Sequence, residues 1–155
     1  MEPLHSKDTN HGNPVGLPQE VAEKMAKALD RHLSSYIVLY QQYHKHHWLV
    51  EGPQFRDLHH FFEINYNAMH EQYDMIAERL TVLGGIPTVH PTAVVDLSYV
   101  DHEPEGQYST RDMLLNELEA DKRIAEELRK TCQEAISLGD IGTSYLMQEL
   151  TFKTG

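Results

Sequence analysis

The sequence predicts an all-α fold, a bundle of four long helices, and three observations predict it. Apolar residues recur every three or four positions along two stretches of roughly thirty residues. Those stretches end at Gly52-Pro53 and Gly84-Gly85, residue pairs that stop helices. No segment of useful length alternates apolar and polar residues as a half-buried strand does. At 155 residues the chain is long enough for one domain with its own core.

The elements follow in order. Residues 1–16, MEPLHSKDTNHGNPVG, are polar and carry Pro3, Gly12, Pro14 and Gly16. They predict a flexible N-terminal tail, leaving 17–155 as the bundle domain. Helix A is expected from about Leu17 to Val50, because Val21, Met25, Ala28, His32, Tyr36, Leu39, Tyr43, His47 and Val50 share one helical face. Pro18 suits its first turn. The Tyr36, Tyr40, Tyr43 run reads as core and interface packing rather than as a radical path. Helix B is expected from about Gln54 to Leu83, roughly 45 Å long. The connection from Gly84 to Tyr108 exceeds a simple turn, and TAVVDLSYV is expected to hold a short extra helix. Helix C opens at Ser109, with Asp112 three residues on as a capping signal. It carries Leu114, Leu118, Asp121, Ala125, Leu128, Cys132 and Ala135 to a stop at Gly139. Asp140 is expected to cap helix D, which runs to about Lys153. Four helices with a long connection between the second and third match the ferritin-like arrangement.

Composition narrows the function. The chain has 24 acidic and 13 basic residues, a formal net charge of −11. Such a surface repels phosphate backbones, which proteins bind through Lys and Arg with counterion release. It attracts and steers cations instead. No apolar run approaches the ~20 residues of a membrane span, and the N-terminus lacks the apolar centre of a signal peptide. The single cysteine, Cys132, permits no internal disulfide and reads as a small buried apolar residue. A cytoplasmic location is expected. Among eleven histidines, six lie between His44 and His70, a density that points to metal chemistry.

The chemistry concentrates between residues 44 and 79. His59 and Glu63 are spaced i,i+4, as are Asp74 and Glu78, so each pair shares a helical face. Imidazole with carboxylate suits iron or zinc. Glu63 and Asp74 are 11 residues apart, which brings both pairs to the same side of the helix, but His59 and Glu78 are separated by roughly 28 Å of rise. One ion cannot touch both pairs within one subunit. The midpoint of His59 and Glu78 is 68.5, and so is that of Glu63 and Asp74. Two B helices packed antiparallel about a two-fold axis near Ala68 and Met69 therefore place each His59/Glu63 pair against a partner's Asp74/Glu78 pair, giving two identical sites. His47, at the end of helix A, can add a ligand to the His59 half.

The pattern His47-Trp48, then Gly52-Pro-Gln-Phe-Arg-Asp-Leu-His59, then Asp74-Met-Ile-Ala-Glu-Arg79 resembles that of the Dps mini-ferritins. The specific match spans the 33 residues from His47 to Arg79, and the helix pattern is similar over nearly the whole chain. The resemblance implies an inter-subunit ferroxidase centre, with His47, His59 and Glu63 from one subunit and Asp74 and Glu78 from its two-fold mate. It also implies a hollow shell of twelve subunits, Fe(II) oxidation with hydrogen peroxide preferred over dioxygen, a stored ferric mineral and protection against oxidative stress. Glu63 stands where many members have Asp, which keeps the carboxylate and lengthens its reach. Trp48 matches an aromatic residue beside the centre that is associated with electron handling.

His44, His70 and Asp140 are accessory candidates. His44 lies three residues before His47 and His70 four before Asp74, so either can join or buttress a metal shell, although ordinary surface or core histidines are the simpler reading. Asp140, at the C-D corner, is the candidate for an acidic three-fold pore of the family's kind. Two departures from the family stand out. Many members bind DNA through basic tails, whereas only Lys7 and Lys24 precede the body of helix A, so DNA binding is not expected. The sequence also stops at Gly155, before the point where the family's last helix usually ends, so either helix D is short or this sequence lacks its tail. Two alternative functions remain open at this level: a DNA-compacting protein, and a cage holding zinc as a redox-inert structural metal.

Overall fold

The computed structural model describes residues 1–154. Five helices make up the chain: α1 (Gln19–Leu49), α2 (Phe55–Val82), α3 (Pro91–Leu97), α4 (Thr110–Ser137) and α5 (Ile141–Thr154). There is no strand among the described residues. α1 is the central element. It packs along α2 and also touches α3 and α4, while α4 packs against α5. The four long elements form the bundle, and α3 is the short extra helix in the connection between its halves.

Of the stripe expected on α1, Met25, His32, Tyr36, Leu39, Tyr43 and Val50 are buried, Val21, Ala28 and His47 are half-buried, and Leu29 and Leu33 join the core beside them. Met25, Leu29, Leu33, Tyr36, Leu39 and Tyr43 are at most 2% exposed. Phe62, Ile76 and Leu80 meet them from α2, and Ile124 and Leu128 from α4. The α1–α2 corner turns at Gly52, whose φ of 107° is a left-handed conformation that glycine adopts without a Cβ clash. α4 begins as its capping signal indicates: the Ser109 hydroxyl accepts the Asp112 N–H at 3.1 Å and donates to the Asp112 carboxylate at 2.8 Å. Pro91 occupies the first turn of α3, where its missing N–H costs nothing.

Two expectations change. The buried face of α4 runs through Met113, Glu117, Ala120, Ile124, Leu128, Thr131 and Ala135, about one position out of phase with the stripe read from the sequence. Leu118 is 60% exposed, while Glu117 takes the inward place. Apolar periodicity is blind to this, because Glu117 is buried by virtue of its partner, His46. The second concerns the N-terminal segment expected to be flexible, of which residues 7–12 make contacts with the body. Lys7 pairs with Asp30 of α1 at 2.9 Å, and the Asn10 amide donates to the Leu83 carbonyl at 2.9 Å. Asp30 also accepts the Thr88 N–H at 2.8 Å and its hydroxyl at 2.6 Å. One nearly buried carboxylate thus ties tail, α1 and connection together. The fit depends on Gly84, where a Cβ would collide with the Gly12 carbonyl and the Asn10 side chain.

α5 carries large apolar residues on its outer side as well as on the side that faces the bundle. Leu146, Met147 and Leu150 are buried, whereas Ile141, Tyr145 and Phe152 are 65%, 68% and 87% exposed. No helix among the described residues is long and apolar enough to cross a membrane.

Candidate metal centre

His47 lies in the last turn of α1 and His59 in the second turn of α2. The Gly52 corner folds them face to face, with ring centroids 3.6 Å apart and planes 20° off parallel. Each ring is fixed by the other's backbone. His47 Nδ1 donates to the His59 carbonyl and His59 Nδ1 to the His47 carbonyl, both at 2.7 Å. The His47 carbonyl is among the last four of α1, which have no intrahelical donor, so the pairing also closes the helix end. A carbonyl can only accept, so both Nδ1 atoms carry the proton. Both Nε2 lone pairs are therefore left available, which is the tautomer a metal-ligating histidine needs.

The other sequence-predicted residues take different positions. Glu63 is one turn beyond His59 and half-buried, its carboxylate 3.5 Å from His60 Nδ1. Asp74 and Glu78 are exposed farther along α2, and neither forms an ion pair among the described residues. Within one chain, no three His, Cys, Asp or Glu side chains among the described residues are grouped to hold a metal ion. Trp48 is 63% exposed and packs against His44 at 4.1 Å. His44 is sandwiched further by Tyr66 at 4.3 Å. Burial and then the neighbouring His47 push the His44 pKa below its usual value. His70 touches Tyr40 and Tyr73 at 6.1 and 5.0 Å.

Asp140 caps α5, as expected, by accepting the Thr143 N–H at 3.0 Å. It is 1% exposed and binds the Arg79 guanidinium at 2.7 Å. Its carboxylate is spent on the α2–α5 corner and is buried within the chain.

The sequence reading missed a polar cluster inside the bundle. His46, fully buried, sits between two carboxylates: Nε2 meets Glu103 at 2.8 Å, and Nδ1 meets Glu117 in a very short contact. Lys45 and Asn116 hold Glu103 at 2.8 and 3.0 Å, and Tyr43 donates to Asp121 at 2.6 Å. Desolvation raises the Glu117 pKa to about 7 and that of Asp121 to about 6. The signal available in the sequence was Glu117 at i+4 from Met113 and i−7 from Ile124, on the face those residues bury.

The sign of the pH effect follows. A carboxyl whose folded pKa lies above its unfolded value binds its proton more tightly when folded, so stability falls as pH rises between the two values. For Glu117 that window runs from 4.5 to about 7. At ~1.4 kcal/mol per unit, the loss is about 3 kcal/mol. Glu117→Gln mimics the protonated form. Its stability relative to wild type is expected to be near equal at pH 4 and to gain by about 3 kcal/mol at pH 8. Urea denaturation at the two pH values measures it, and a pH-independent difference would remove the buried-proton reading.

The fold and the pair of free imidazole nitrogens on adjoining bundle helices define a ferritin-like protein. Comparison with known proteins agrees. The Ferritin-like domain family matches residues 26–151. The nutrient stress-induced DNA-binding protein of a Nostoc species is 39% identical over 144 residues, covering 93% of this chain and 78% of that protein. The crystal structure of an archaeal Dps homologue from Halobacterium salinarum superposes with a TM-score of 0.94 at 32% identity, covering 99% of this chain and 86% of that one. The Dps protein of Vibrio cholerae, described as a member of a superfamily of ferritin-like diiron-carboxylate proteins, superposes with a TM-score of 0.88 at 25% identity, covering 94% and 91%. The chain belongs to the Dps family of mini-ferritins.

Proposed function

We propose that this protein oxidises Fe(II), with hydrogen peroxide as the preferred oxidant, at centres shared between two-fold-related subunits, and stores the ferric product inside a dodecameric shell. One observation carries the reading. His47 and His59 are locked as a pair with both Nε2 atoms available, while Asp74 and Glu78 stand exposed on the same helix without a partner ion among the described residues. Half a site lies at each end of α2, and an antiparallel α2–α2 contact completes both halves. The family supports iron as the substrate, and the donor set fits it: two imidazoles with hard carboxylates suit Fe(II) and Fe(III). Two Fe(II) supply the two electrons that reduce peroxide to water, so no hydroxyl radical is released. The exposed Ile141, Tyr145 and Phe152 of α5 support assembly, since large apolar side chains grouped on a surface mark a contact with another chain.

The experiment is anaerobic Fe(II) loading followed by peroxide or air, with ferric absorbance as the readout. Rapid oxidation, faster with peroxide, is expected. Oxidation no faster than in buffer overturns the proposal and favours the zinc-holding reading. A second reading, DNA compaction, is suggested by the name of the Nostoc relative. Against it, the net charge is −11, and both cations of the N-terminal region are already paired, Lys7 with Asp30 and Lys24 with Glu134.

A further inference from the structure

The outer face of α2 carries more than the two candidate ligand pairs. Between Glu63 and Asp74 lie Asn67 and His70, spaced i,i+3 and therefore neighbours on the helix. At about 100° per residue, both fall within about 40° of the direction of Glu63, and Asp74 within about 20°. Both are exposed, and neither forms a hydrogen bond or an ion pair among the described residues. The His70 ring is steadied by Tyr73 at 5.0 Å and Tyr40 at 6.1 Å, which leaves its nitrogens free. The midpoint of Asn67 and His70 is 68.5, the midpoint already shared by His59 with Glu78 and by Glu63 with Asp74. Each of the two therefore stands only about 1.5 residues, roughly 2 Å of rise, from the axis of an antiparallel α2–α2 pair. Side chains so close to a crossing point meet their symmetry mates whatever the crossing angle. Packed helices lie about 8–10 Å apart, a gap that facing imidazoles and amides can fill.

We propose that His70 and Asn67, together with the same two residues of a second copy, form a zinc site on the two-fold axis, midway between the two iron-oxidising centres. The proposal rests on the antiparallel α2–α2 pairing of the shared-centre reading above. One chain offers one imidazole and one amide oxygen, too few to hold an ion. In keeping with that, no three His, Cys, Asp or Glu side chains among the described residues of one chain are grouped around a metal position. The second copy doubles the set to four donors, the usual coordination number of structural Zn(II). Donor chemistry selects zinc over iron at this place. Imidazole suits zinc, whereas harder ions favour carboxylates, and Glu63 and Asp74 stand roughly 8 Å of rise from the axis. Glu71 is nearer but lies about 100° around the helix from His70. The net charge of −11 draws divalent cations toward such a seam. Zn(II) has no redox chemistry, so an ion here fixes the register of the two α2 helices without taking part in iron oxidation. Zinc and iron then occupy different places along one contact instead of competing for one site.

The test measures zinc in the assembled protein after stripping with a chelator, reloading with Zn(II) and removing the excess by gel filtration. The background chain carries His59→Ala, Glu63→Ala, Asp74→Ala and Glu78→Ala, so that the iron-oxidising centres cannot hold the ion. It is expected to retain one zinc per two chains. Co(II) in its place is expected to give the strong visible absorption of a tetrahedral site. Adding His70→Ala should abolish both signals, and adding Asn67→Ala should weaken binding several-fold. In the otherwise unaltered chain, His70→Ala should lower the zinc content by half an ion per chain, which keeps the test decisive if the fourfold variant does not assemble. An assembled background chain that holds no zinc, or a zinc content undiminished by His70→Ala, overturns the axial site. If mixing the His59/Glu63 and Asp74/Glu78 variants also restores no iron oxidation, the shared-centre reading falls with it. If mixing restores oxidation, the axial site falls alone.

Discussion

A chain carrying His59→Ala and Glu63→Ala is expected to lose Fe(II) oxidation, by at least ~100-fold, since even outer-shell partners of a metal cost up to that much. A chain carrying Asp74→Ala and Glu78→Ala should fail equally, although His59 and Glu78 are roughly 28 Å apart along α2. Mixing the two inactive chains under conditions that exchange subunits should restore activity. In a hybrid dimer one centre draws both ligand pairs from intact halves and the other loses both. Random mixing makes half the dimers hybrids, so roughly a quarter of the centres recover. Ferric absorbance after peroxide measures the recovery. Verified hybrids without activity would mean that the half-sites do not meet across the two-fold axis. Asp74 and Glu78 are exposed and His59 and Glu63 half-buried, so circular dichroism of each variant checks that the fold is kept.

Removing Asp140 is expected to have the largest effect on stability. The carboxylate is 1% exposed, holds the Arg79 guanidinium at 2.7 Å and caps α5 through the Thr143 N–H. Asp140→Ala leaves the guanidinium in a largely buried place without a counter-charge, which costs about 3–5 kcal/mol, and the lost cap adds about 1 kcal/mol. At about 2–4 °C per kcal/mol for a chain of this size, the melting temperature should fall by roughly 10 °C or more. Asp140→Asn retains an acceptor for the cap and should fall less. The corner has no slack, because a Cβ at Gly142 would press on the Arg79 guanidinium. A melting temperature unmoved by Asp140→Ala would return this acid to the list of pore residues. Arg79 directly follows Glu78, so the same ion pair anchors the end of α2 that carries Asp74 and Glu78.

The sequence by itself determined the helices and the spacing of the candidate ligands. Helix ends are local events, set by Gly52-Pro53, Gly84-Gly85, the Ser109 cap and the Asp140 cap, so α1, α2, α4 and α5 begin and end within about two residues of their expected bounds. The i,i+4 spacing of His59 with Glu63 and of Asp74 with Glu78 is likewise a property of one helix and needs no partner to be read. Tertiary structure decided what depends on partners distant in sequence. Glu117 displaced a leucine from the inner face of α4 because His46, 71 positions earlier, offers it a charged hydrogen bond. The N-terminal segment found its place through Asp30 and the open backbone at Gly84, neither of which marks its partner in the sequence. Tyr40 stands about 40° around the helix from Tyr36 and about 60° from Tyr43, which turns it toward α2, where it meets Tyr66 and Tyr73. The crossed hydrogen bonds of His47 and His59 depend on the α1–α2 corner closing to bring two rings within 3.6 Å. Periodicity reports which residues face inward on one helix. What they meet there is fixed only when the second helix arrives.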